Sequence, residues 1–78
     1  MEKYNYITAD PLILGGKPII RGTRISVELI LEWISNGSSI KDINKSYPHL
    51  SEASIKEAVQ YATEFLRNEI FVEIKHDA

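Results

Sequence analysis

The hydrophobic period of this chain changes once, at Ile25, and that change commits it to a fold with two unlike halves. Before Ile25 no helical spacing exists, and Pro11, Gly15-Gly16, Pro18 and Gly22 break the chain into short pieces. The pieces at 4–7, 12–14, 17–20 and 23–25 are apolar or β-branched. They predict short strands or extended arms, with Gly15-Gly16 as a tight hairpin turn. After Ile25 the spacing is helical. Val27, Ile30, Leu31 and Ile34 recur at i, i+3, i+4 and i+7, which predicts a first helix capped by Ser26 and ended by Asn36-Gly37. Ser39, with Asp42 three residues on, opens a second, short helix whose inward face is Ile40, Ile43 and Tyr47, and Pro48 stops it. Ser51 caps a third, with Leu50 and Ile55 as a hydrophobic staple and a stripe of Ile55, Ala58, Val59, Ala62 and Leu66. Beyond Asn68, Ile70, Val72 and Ile74 alternate with Glu69, Phe71 and Glu73. That period of two predicts a C-terminal strand or tail over 69–78.

The expected architecture is therefore one mainly α domain over 1–78. A β arm or hairpin over 1–25 precedes a three-helix unit over 26–68 and the strand or tail over 69–78. Three helices with a short middle one fit a helix-turn-helix domain, and they fit a plain three-helix bundle as well.

At 78 residues there is no room for a second domain, and the absence of cysteine removes disulfide scaffolds, thiolate nucleophiles and zinc ribbons. So short a chain buries only about 60% of its unfolded surface, so a homodimer is expected to supplement the thin core. No apolar run approaches the roughly 20 residues of a membrane span, and no basic-then-apolar leader opens the chain. A cytoplasmic chain that stays whole is the expectation. Net charge is −2, but it is unevenly spread. Through Ile25 the cations Lys3, Lys17, Arg21 and Arg24 outnumber the carboxylates, whereas from Ser26 onward carboxylates dominate. A basic arm before an acidic body suits phosphate contact or an acidic protein face equally.

Catalysis finds little to work with. His49 and His76 stand 27 positions apart and lack the convergent spacing of metal ligands. Glu28 and Glu32 share a helix face as solvated carboxylates commonly do, and Gly15-Gly16-Lys17-Pro18 lacks the spacing of a phosphate-binding loop. The reading is non-enzymatic, without metal or cofactor. One enzymatic alternative stands beside it: RNA cleavage by His49 with Arg21 or Arg24.

Binding finds more. Residues 16–25, Gly-Lys-Pro-Ile-Ile-Arg-Gly-Thr-Arg-Ile, combine fixed and freed backbone angles with three cations, Lys17, Arg21 and Arg24. In an extended arm Arg21 and Arg24 point to opposite faces; a turn at Gly22 lets both meet one anion. Pairing of these arginines inside the fold is the competing reading, and Thr23 is expected to bond nearby backbone. On the helices, Ser51 and Ser54 are candidate phosphate donors, Lys41 and Lys45 candidate backbone contacts, Lys56 a further cation, and Gln60 a candidate base reader of double-stranded DNA. Glu52 and Glu57 oppose that, and an ordinary solvated face remains the alternative. Trp33, Tyr61 and Phe65, at the stripe edges, read as core or dimer contacts before base-stacking platforms.

The string Gly15-Gly16-Lys17-Pro18-Ile19-Ile20-Arg21-Gly22-Thr23-Arg24-Ile25 resembles the signature of the small prokaryotic family known as domain of unknown function 433. Asp10-Pro11 before it, Gly37-Ser38-Ser39-Ile40, Tyr47-Pro48-His49-Leu50-Ser51, Ile55 and Tyr61-Ala62 extend the resemblance from about Ile7 to about Ala62. The resemblance implies a homeodomain-like helix-turn-helix fold behind an N-terminal β arm. It also implies an antitoxin of a VapB-type, type II toxin–antitoxin pair, which neutralises a PIN-like, metal-dependent ribonuclease-type toxin and represses its own operon as a dimer. Lys17, Arg21, Thr23 and Arg24 carry over as the signature arm. A module that masks a partner nuclease without touching DNA is the alternative from a different class.

Overall fold

The computed structural model describes residues 3–77, with side chains described for residues 3–67. Strand β1 (Ile7–Ala9) leads through a 3-10 turn (Leu14–Gly16) to strand β2 (Pro18–Ile20), and helices α1 (Val27–Ser35), α2 (Ile40–Ser46) and α3 (Glu52–Asp77) follow. The result is a small, mainly helical fold of three helices and one two-stranded antiparallel hairpin.

In the hairpin Ile7 pairs with Ile20, Thr8 with Ile19 and Ala9 with Pro18. Pro18 stands first in its strand, where its missing N–H costs least. The expected tight turn at Gly15-Gly16 between runs 12–14 and 17–20 is corrected. Leu14, Gly15 and Gly16 all adopt positive φ, which coils the chain into a 3-10 turn, so 12–14 is no strand and the pairing skips back to 7–9. Residues 23–25 form no named strand either. Thr23 N–H donates to the Ile20 carbonyl at 3.0 Å and Ile20 N–H to that of Ile25 at 2.9 Å, closing a tight turn that ends in a single bridge from Ile19 to Ser26. Gly22 supplies that turn's φ of +80°, a value that strains other residues.

The helical half follows its spacing. Ser26 accepts from Leu29 N–H to cap α1, and Ser39 and Asp42 form a reciprocal capping box on α2. At the end of α1, Gly37 N–H donates to the Ile34 carbonyl and Ser38 N–H to that of Trp33, a Schellman closure that needs Gly37 at φ +104°. Ile30, Ile43, Leu50, Ile55 and Ala58 are buried, and Tyr4, Ile7, Ile20 and Val27 complete the same core. Apolar residues therefore reach the centre from both halves.

The expected C-terminal strand over 69–78 is corrected, since α3 runs from Glu52 to Asp77. No Gly or Pro follows Pro48, and extending a formed helix carries no new nucleation cost, whereas three alternating apolar residues would need a paired edge. Leu66, expected on the inward stripe, is 55% exposed, because the body packed against α3 ends near Ala62. Among the described residues no helix is long and apolar enough to cross a membrane.

Candidate nucleic-acid and partner interfaces

The link between α2 and α3 is short and internally bonded. Leu50 N–H donates to the Tyr47 carbonyl at 2.8 Å, and the half-buried Asn44 amide reaches across to the Leu50 carbonyl at 2.6 Å. Asn44 thus fixes the angle at which α3 departs, a role its sequence position did not announce. Ser51 caps α3, accepting from Ser54 N–H at 3.1 Å. Ser54 cannot serve as a phosphate donor: it is 3% exposed, and its hydroxyl donates to the Ser51 carbonyl at 2.7 Å. The reason lies in its phase on the helix, next to the buried Ile55.

The remaining α2 and α3 candidates face solvent. Lys41 and Lys45 lie four apart on α2 and are exposed. On α3, Ala53, Lys56, Gln60, Thr63 and Arg67 are all exposed at spacings of three and four, which makes one continuous outward stripe. Arg67 extends the polar end of that stripe and was findable only by continuing the helix past the core. Gln60 is lightly held, its amide 3.4 Å from Glu64. Of the two carboxylates that oppose an anionic ligand, Glu52 stands at the start of α3 and Glu57 is occupied, as is Glu64 about two turns further on. Glu57 accepts backbone N–H bonds from Asn5, Tyr6 and Ile7, two of them at 3.1 Å. Glu64 accepts from the Tyr4 hydroxyl and pairs with Lys3 at 3.1 Å, contacts that hold its carboxyl below the usual range.

The signature arm is a turn, and it sets Arg21 apart from Lys17 and Arg24. Thr23 acts as expected of a turn threonine: its hydroxyl donates to the Ile20 carbonyl at 2.7 Å and accepts from Ile25 N–H at 3.0 Å. Arg21 Nε donates to the Asn5 carbonyl at 3.3 Å, so this exposed side chain also ties the turn to the N-terminal segment. Lys17 pairs with Glu28 at 3.2 Å in solvent. Arg24 is exposed and has no bonded partner among the described residues. Lys17 and Arg24 share one hollow of about 380 Å³ with Leu14, Glu28 and Glu32, so the cations there face carboxylates.

A second hollow differs in kind. About 520 Å³ in volume, it lies between β2, α1 and α3, and Pro18, Val27, Leu31, Tyr61, Phe65 and Leu66 line it. Phe65 and Leu66 are more than half exposed there. Tyr61 fixes its floor, set edge-on to Tyr4 at 5.3 Å and stacked with Phe65 at 6.4 Å. Trp33 instead stacks on Tyr47 at 4.9 Å and 9°, with His49 edge-on to Tyr47 at 6.3 Å.

A family model described as Protein of unknown function (DUF433) matches residues 7–62. Uncharacterized protein y4eO of Sinorhizobium fredii (strain NBRC 101917 / NGR234) is 36% identical over 56 residues, which cover 72% of this chain and 25% of that protein. The chain thus spans a quarter of the length of that relative. The crystal structure of a DUF433 member protein from Anabaena variabilis ATCC 29413 superposes with a TM-score of 0.74 at 30% identity, covering 95% of this chain and 72% of the other.

Proposed function

This chain belongs to the DUF433 family, and on that premise we propose that it is a DNA-binding antitoxin of a type II toxin–antitoxin pair. In this reading it neutralises a PIN-like toxin and represses its own operon as a dimer. The α2–turn–α3 unit acts as a homeodomain-like helix-turn-helix, in which Lys41 and Lys45 meet the DNA backbone while α3 enters the major groove. The observation that carries the reading is the outward stripe of α3. Lys56, Gln60 and Arg67 stand on it together, and Glu57 and Glu64 are engaged by the N-terminal segment. Ser51 stays a phosphate contact at the helix start, whereas Ser54 leaves the set.

A gel shift of the purified chain on its own upstream region, repeated at rising salt, tests this. Retention that falls steeply with salt is expected; no retention at low salt removes the DNA role. Replacing Lys41 and Lys45 with alanine should weaken binding to all sequences alike, whereas Gln60→Ala should relax sequence preference.

A specific observation favours the second reading, a module that masks a partner nuclease without binding DNA. Arg24 is exposed without a bonded partner among the described residues, as suits a cation meant for an acidic metal site elsewhere, and the chain as a whole is acidic. Copurification with the neighbouring gene product, lost on Arg24→Glu and kept in a chain that retains no DNA, supports it.

A further inference from the structure

The two hollows beside α1 form one continuous recess. Lys17, Ser26 and Glu28 line both, and the Lys17–Glu28 ion pair is the partition between them. Both side chains of that pair are more than half exposed, so solvent screens it and a ligand can part it at little cost. On one side the walls are apolar: Pro18, Val27, Leu31, Tyr61, Phe65 and Leu66 surround a space of about 520 Å³. On the other side they are charged. Arg24 and Glu32 stand there with Leu14 and Leu29, and neither charged side chain has a bonded partner among the described residues. Small-molecule sites usually hold about 300–1,000 Å³ within mostly apolar walls, with a few polar groups that fix orientation, and the recess has both properties.

The charges select the head group of what fits. A fatty acid would set its carboxylate against Glu28 and Glu32, and an alkylamine would set its ammonium against Lys17 and Arg24. A head group with both signs finds a partner for each. Arg24 can take a carboxylate in two parallel N–H bonds, and Glu32 can accept from an ammonium. An α-amino acid carries the two charges on one carbon, whereas inside a peptide chain both are lost to amide bonds. We propose that the recess binds a free α-amino acid with a large apolar side chain, aromatic or branched. The side chain rests between Leu31, Tyr61 and Phe65, and the zwitterionic head lies between Arg24 and Glu32. The site is independent of DNA binding, since Lys41, Lys45, Lys56 and Gln60 line neither hollow, and it competes with a masked nuclease for Arg24.

Titration of the isotope-labelled full chain with L-phenylalanine tests this by nuclear magnetic resonance. The amides of Val27, Leu31, Tyr61 and Phe65 should shift together on one isotherm, with a Kd of about 1 mM for so small a ligand in an open recess. Phenylpropanoate lacks the ammonium and phenylethylamine lacks the carboxylate, so each should bind about tenfold more weakly. L-alanine, which keeps the head and lacks the ring, should also bind more weakly. In Arg24→Ala the advantage of phenylalanine over phenylethylamine should vanish, and in Glu32→Ala its advantage over phenylpropanoate should vanish. Both residues are exposed, so unmoved α2 amides should show that the fold is kept. No shift at these amides by about 20 mM phenylalanine overturns the proposal. So does equal binding of phenylalanine and either single-charge analogue, or a preference that both substitutions leave unchanged.

Discussion

The hairpin region and the helical region share one core but are held by different means. Each helix carries its own local closures: Ser26 for α1, Ser39 with Asp42 for α2, Ser51 for α3. The hairpin has a ladder of only three residue pairs, too little for a two-stranded ribbon to stand alone in water. Its anchors come from the far end of the chain, through Glu57 on three successive N–H groups and Glu64 on Tyr4. One region is specified within a few residues of itself; the other is specified across fifty or sixty. They should therefore come apart differently when their supports are removed.

The largest test removes what they share. Ile55 is fully buried in the core to which both regions contribute, so Ile55→Ala is expected to cost about 2–5 kcal/mol in urea unfolding. Tyrosine fluorescence and helical circular dichroism should then fall in one transition. Two separated transitions would break the idea of a common core. Glu57→Ala sharpens the comparison instead, because it removes only the long-range anchor. A carboxylate that accepts backbone N–H bonds contributes about 1.5–3 kcal/mol, and partial exposure places this one toward the lower end. Amide exchange should quicken at Tyr6, Ile7 and Arg21 while α2 and the start of α3 keep their protection. Equal loosening of both regions would contradict the division. Ser39→Ala is the mirror experiment. The loss of one capping box is expected to cost about 1 kcal/mol and to fray α2 without affecting exchange at Ile7.

The same division decides what could be read from the residues. Ser26, Ser39-Asp42, Leu50 with Ile55 and the stripe through Ala62 announce three helices, because helix signals act over one or two turns. Strand pairing in the hairpin was not legible. The choice of Ile7 over Leu12 as a partner for Ile20 depends on the coil at Leu14–Gly16 and on Glu57, and neither leaves a local pattern. The C-terminal segment misled for a related reason. Alternation over five residues matches a strand template as well as a helical one, and only the absence of a breaker separates them. At the candidate interface Lys41, Lys45, Lys56 and Gln60 fell on exposed faces. Ser54 did not, since a residue adjoining the stripe can turn either way, and this one lies inward beside Ile55 and one turn before the buried Ala58. Asn44, which sets the α2–α3 turn, carried no signal because its partner is a backbone carbonyl.

The smallest effect concerns the second anchor, and its sign differs at the two ends of the pH scale. The Glu64 carboxyl is held below its ordinary value, first by the Tyr4 hydroxyl that donates to it and then by Lys3. A carboxylate held low in the folded state contributes fully above its unfolded value, and that contribution is lost as pH falls through the folded one. Tyr4 is shifted the other way. Its hydroxyl donates to an anion, which holds it above its ordinary value, so its contribution is present below the unfolded value and is lost as pH rises through the folded one. The N-terminal segment should therefore stay docked on α3 across the neutral range, loosening as pH falls below the ordinary glutamate range and again as it rises above the ordinary tyrosine range. Solvent screens the Lys3–Glu64 pair, so the change should appear in the chemical shifts of the Tyr6 and Ile7 amides before it appears in global unfolding. Tyr4→Phe should abolish the alkaline limb and shift the acid limb toward the ordinary carboxylate range, with the α1 and α2 amides unmoved. An alkaline limb that persists in Tyr4→Phe would place the titrating group elsewhere than on the Tyr4 hydroxyl.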